Sequence, residues 1–216
     1  KPARAEGQHE PVHRIVAEYS AARHLNRLIV DATSKFSAPQ CMSIIAPNGV
    51  TRDELRGLLG WLAALGSQQV QDLAIATDPY AVLANGDPSL LTPRSKTRLV
   101  EELLKLEALD PYFRRSDRWR SFSVSGFFTA DVVDEIRKVL ANHRTPGHLL
   151  GLLLKLLDGS PAADQLQPEL TALMLDPHAN DNIRSLAADC IVSSRKVDIA
   201  TDVGKLIAEG SPAALK

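Results

Sequence analysis

A residue able to cap a helix stands directly before proline at Asp78-Pro79, Asp87-Pro88, Thr92-Pro93, Thr145-Pro146 and Ser160-Pro161. Each pair marks a helix start. A Ser, Thr or Asp side chain accepts a hydrogen bond from an orphan N–H of the first turn, while proline has no N–H to leave unpaired. A chain punctuated this often is committed to many short helices joined by turns. Composition points the same way, with 31 Leu and 27 Ala among 216 residues and aromatics at only 5%, a mixture that favours helix over sheet. The expected class is all-α.

A further start is expected at Thr51, with Glu54 three residues on completing a reciprocal capping box. Leu55, Leu58, Leu59, Leu62 and Leu65 then form an apolar stripe that ends at Gly66. Periodicity places other helices over about 12–31, 67–76, 93–109, 129–142, 146–158, 166–175, 181–193 and 197–209, and no segment has the alternation of a strand.

The stretch from Asp110 to Gly126, rich in Arg, Ser and aromatics, breaks the helical rhythm and is the expected junction. The organisation read from the chain is a disordered lead-in over 1–11, a helical linker domain over 12–120 and helical repeats over 121–216. In the last part an apolar register recurs: Ile136, Val139, Leu140, Leu149, Leu152 and Leu156 match Leu170, Leu173, Met174, Ile183, Leu186 and Cys190, each pair 34 residues apart. Each unit is a helix, a turn and a second helix, and needs a neighbour to cover its apolar face. The Leu-rich and Ala-rich faces, with Asp176-Pro177 ahead of Ile183-Arg184 and Ala187-Ala188, resemble HEAT-type repeats. The Trp, Gly, Tyr and Pro positions of tetratricopeptide repeats are missing. The expected architecture is an α-α superhelix of helical hairpins, HEAT-like in the C-terminal half, and capped by the preceding helices because about three repeats are needed for stability.

A formal charge of −1, from 25 Lys+Arg against 26 Asp+Glu, gives no global pull toward nucleic acid or an anionic membrane. No apolar stretch approaches the roughly 18 residues of a membrane span, and the N-terminus lacks an apolar signal core; a cytoplasmic setting is expected. The start at Lys1 is read as that of a piece of a longer protein. Cys41 and Cys190 stand alone, so they are read as reduced and buried rather than as a disulfide or zinc ligands. There is no phosphate loop and no GxGxxG after a strand. Asp176 to Asn182 offers oxygen ligands, but an EF-hand needs Gly at the position of Asp181 and Glu at that of Ala187, so a turn and helix cap are expected. The histidines have no patterned carboxylate partner and no serine sits in a GxSxG elbow, which leaves no catalytic, cofactor or metal residue to assign and no expectation of enzyme activity.

Two stretches stand out. Tyr112 to Phe122 interleaves Arg114, Arg115, Arg118 and Arg120 with Trp119 and other aromatics. Such a patch can stack on bases and hold phosphates, or anchor an irregular segment by its rings while the arginines reach outward. The first helix carries His13, Arg14, Glu18 and Tyr19, with Arg14 and Glu18 an i,i+4 pair, and with His13, Ala17 and Ala21 on one side, where small residues allow close helix approach.

The run His13-Arg14 … Glu18-Tyr19 … Ala21-Ala22 … Leu25 resembles the helix that follows the ATPase and winged-helix modules in bacterial STAND-type signalling NTPases of the NACHT class. Arg56-Gly57-Leu58 … Trp61-Leu62-Ala63-Ala64-Leu65 is similar to the next helix of that family. Asp78-Pro79-Tyr80-Ala81-Val82-Leu83 … Gly86-Asp87-Pro88 … Leu91-Thr92-Pro93 is similar to the segment after it. The resemblance spans roughly 12–120 and, more weakly, the repeats. It implies a sensor or scaffold region whose ATP and Mg are bound upstream. His13, Arg14, Glu18 and Tyr19 would contact the ATPase or winged-helix module. The repeats would bind a protein ligand, as in anti-phage defence, and activation would bring homo-oligomerisation. The alternative is a helical-repeat nucleic-acid-binding domain using the Arg114–Arg120 patch.

Overall fold

In the computed structural model the described residues are 13–110, 126–142, 147–194, 204, 205, 207 and 208. Helix is the one regular secondary structure among them, with no strand. The helices are α1 (Arg14–Val30), α2 (Ala38–Ile45), α3 (Arg56–Leu65), α4 (Gln68–Thr77), α5 (Pro79–Ala84), α6 (Pro93–Leu109), α7 (Ala130–Ala141), α8 (Gly147–Leu157), α9 (Gln167–Leu175) and α10 (Asp181–Ser193), with short 3-10 turns between some of them.

The proline-linked caps act locally as their chemistry requires. Asp78 accepts from the Ala81 N–H at 2.8 Å, Asp87 from Ser89 at 3.0 Å and Thr92 Oγ1 from Ser95 at 3.2 Å. Asp87 starts only a 3-10 turn, and Ser160 Oγ accepts from Ala162 at 3.2 Å to begin a turn that leads into another. Thr145-Pro146 lies outside the described residues. The expected capping box at Thr51 does not form. Thr51 is buried with its Oγ1 unpartnered, the chain passes through a 3-10 turn over Asp53–Leu55, and α3 starts at Arg56. The reciprocal box is at Ser37 instead, where Gln40 N–H donates to Ser37 Oγ and Gln40 Oε1 accepts from the Ser37 N–H, opening a helix that periodicity had not marked.

The chain divides into two units, one comprising 1–102 and 116–127, the other 103–115 and 128–216. The division falls within α6, while the expected junction over 110–126 lies mostly outside the described residues.

In the first unit α3 is the hub, packed by α1, α4 and α5, with α2 against α4. It is therefore not a helix with one apolar stripe. Gly57, Leu59, Gly60, Leu62, Ala63 and Ala64 are all buried, whereas Leu55, Leu58 and Leu65 are half-buried. A helix surrounded in this way must be apolar or small on most sides. Every residue of α5 is buried. The turn after it presses on α3: a Cβ on Gly60 would stand 2.5 Å from the Asn85 carbonyl oxygen, and one on Gly86, at φ +70, would stand 2.5 Å from the Gly60 carbonyl carbon. Lys96, also buried, donates from Nζ to the Gly126 carbonyl at 2.6 Å; burial pushes its ammonium below the usual lysine range and the Asp87 carboxylate opposes that.

In the second unit α7 packs on α8 and α9 on α10, while α9 also packs on α7 and α10 on α8. First helices thus stack on first helices and second on second, in step with the 34-residue recurrence. Of the recurring apolar residues only Leu156 and Leu186 are half-buried; the others are buried. Polar contacts join the layers. Arg137 Nε donates to Glu169 at 2.9 Å, buried Arg184 Nε caps the end of α9 through the Met174 carbonyl at 2.9 Å, and Cys190 Sγ lies 3.1 Å from the Leu154 carbonyl. Asp176 to Asn182 is a turn and cap as expected, with His178 N–H donating to Asp176 and Asn182 N–H to Asn180. The expected helix over 197–209 lies mostly outside the described residues.

Candidate functional site

Helix α1 is exposed along most of its length, and only Ala22 and Asn26 are buried. Its contact with α3 is made at close range because α3 offers Gly57 there. The Glu18 carboxylate fills the space a side chain at 57 would need, since a Cβ on Gly57 would lie 2.2 Å from Glu18 Cδ. Arg14 Nε donates to Glu18 Oε1 at 2.6 Å and Arg14 Nη2 to the Glu54 carbonyl at 2.7 Å, so one guanidinium holds both the carboxylate and the approach to α3. Tyr19 meets Trp61 edge-on, with centroids 5.3 Å apart and planes at 88°. That is the favoured edge-to-face arrangement, worth about 0.5–1.5 kcal/mol. Lower down, Asn26 Nδ2 donates to the Leu62 carbonyl at 3.2 Å, while its Oδ1 is buried without a donor.

Of the sequence-derived candidates, Arg14, Glu18 and Tyr19 are brought together on α3. His13 is set apart from them: it holds the cap position, exposed, and its side chain makes no cap bond. The expected close-approach face of Ala17 and Ala21 is corrected by one residue. Ala21 is exposed and Ala22 is fully buried, because Glu18, Ala22 and Asn26, each four apart, form the row that meets α3. Arg114, Arg115, Arg118, Trp119 and Arg120 lie outside the described residues.

Sequence reasoning missed a groove of about 550 Å³ lined by Tyr19, Arg23, Asn26, Arg27, Val30, Asp31 and Leu65. Its signal was present as two arginines four residues apart on a helix with little apolar face. Asp31, at one end, is held below the usual carboxylate range by hydrogen bonds from the Thr33 hydroxyl and N–H.

Among the described residues no group of three or more His, Cys, Asp or Glu side chains could hold a metal, and no helix is long and apolar enough to cross a membrane. Both cysteines are free and buried, as expected; burial pushes the Cys41 thiol up to about 11 and that of Cys190 to about 12. No family model, curated protein or solved structure matches this chain.

Proposed function

We propose that this chain is a helical relay from a STAND-type signalling NTPase of the NACHT class, working by protein contact rather than by chemistry of its own. The observation that supports this reading is the meeting of the three family-like segments on one helix. The His13–Leu25 run packs on α3 through Glu18–Gly57 and Tyr19–Trp61. The Asp78–Leu83 segment forms α5 against the same helix, and Arg56 Nε lies 3.9 Å from Asp78 Oδ2. Segments that are separate in sequence thus act as one mechanical part, with most of α1 left open to a neighbouring ATPase or winged-helix module. The stacked pairs α7–α8 and α9–α10 supply a HEAT-like surface for a protein ligand, whose binding shifts a closed–open equilibrium only as far as it favours one state.

The experiment removes residues 130–193 from the polypeptide that carries the ATPase module and follows ligand-triggered ATP turnover. The reading expects basal turnover to persist and triggering to vanish. Triggering that survives the deletion refutes the sensor role.

A further inference from the structure

Along α1 the residues Val16, Tyr19, Arg23, Arg27 and Val30 recur at steps of three, four, four and three, so they lie in one stripe about 21 Å long. Val16 is 56% and Val30 72% exposed, and Tyr19, itself 38% exposed, is braced by Trp61. The groove runs beside the stripe from Tyr19 to Val30 and takes Leu65 from α3 as its apolar wall.

Arg23 and Arg27 are exposed, and neither is paired with a carboxylate among the described residues. The arginine of α1 that is paired among the described residues is Arg14, outside the stripe. The stripe is therefore apolar at both ends and positive in the middle, with the Asp31 carboxylate beyond Val30 at the end of the groove, on a chain whose net charge is −1. We infer that this stripe and its groove dock an acidic amphipathic helix of a protein partner, with aliphatic side chains over Val16 and Val30 and carboxylates on Arg23 and Arg27.

The geometry selects this occupant over others. Spacing of three and four along a straight helix is matched by the i, i+3, i+4 and i+7 anchors of a second helix. A small molecule would fill the groove and leave the Val16 end bare. An apolar helix without carboxylates would cover two guanidinium groups with only the single Asp31 carboxylate at the end of the groove to set against them, which is costly. None of this depends on the family resemblance.

The test uses the whole chain and two synthetic helical peptides of about 21 Å, one with Leu at both ends and Glu in the centre, the other with Lys in place of Glu. Binding is read by fluorescence anisotropy, with circular dichroism confirming that every variant keeps its helix content. The wild-type chain should bind the acidic peptide and not the basic one. R23E/R27E should weaken the acidic peptide about tenfold or more and gain the basic one, an exchange of partner that a generic loss of structure cannot produce. R94E/K155E, which reverses two exposed cations on α6 and α8, should change neither affinity. Failure of the acidic peptide to bind, equal binding of both peptides, or an equal effect of R94E/K155E would overturn the assignment.

Discussion

Gly60 and Gly86 are where single atoms decide the first unit. The two backbones touch with no room for a Cβ on either, and Gly86 is in the left-handed region at φ +70. Gly86→Ala carries both a left-handed penalty of about 1–2 kcal/mol and a clash with α3. Gly49→Ala, at φ +78 with nothing within 4 Å, carries only the first. Urea unfolding should place Gly86→Ala well below Gly49→Ala in midpoint; equal midpoints would mean that the turn does not press on α3. The thiols give a second test at this scale. Cys41 and Cys190 are buried and both shifted upward, so neither should react with a disulfide reagent at neutral pH in the folded protein, and both should react once urea unfolds it. Rapid labelling without denaturant would show that these helices open readily. The cysteines were legible as buried from their isolation alone, whereas the Tyr19–Trp61 pair was visible only as two halves of two motifs, because nothing local fixes a contact across that separation.

At the scale of elements, helix starts were the most legible feature, since a cap and a proline act within one turn. Thr51–Glu54 shows the limit. The spacing was right, but tertiary packing buried Thr51 and drew the chain into a 3-10 turn. Helix α2 was missed because its eight residues are too few to set a period, although Ser37 and Gln40 carried its box. The cap of α8 comes from still further away. Glu107 on α6, only 1% exposed, accepts from the Leu149 N–H at 2.6 Å. Burial raises its carboxyl above the usual range, and the backbone bonds and the His148 charge only partly offset that. With the folded value above the unfolded one, the contribution to stability is full below the ordinary value of 4.5 and is lost as pH rises through the folded value. Glu107→Gln keeps an acceptor for Leu149 without a buried charge. The wild-type urea midpoint should fall relative to that of Glu107→Gln between acid and neutral pH. A wild-type midpoint that rises relative to that of Glu107→Gln over that range would reverse the sign assigned to Glu107.

For the whole molecule, the sequence reading of an all-helical chain with paired helices in its C-terminal part agrees with the structure, because a 34-residue apolar recurrence specifies which helices must cover one another. Which face of α1 meets α3 was not legible: with only Ala22 and Asn26 buried, the helix has too little apolar face to indicate its own rotation. The same exposure gives the proposed relay its surface. A relay has no assembly of its own to display until the ATPase module and the ligand are both present. The most direct test is the solution mass of the polypeptide that contains this chain, measured with Mg-ATP, with the protein ligand, with both and with neither. The relay account predicts a multiple of the monomer mass only when both are present. The same mass under all four conditions would contradict it.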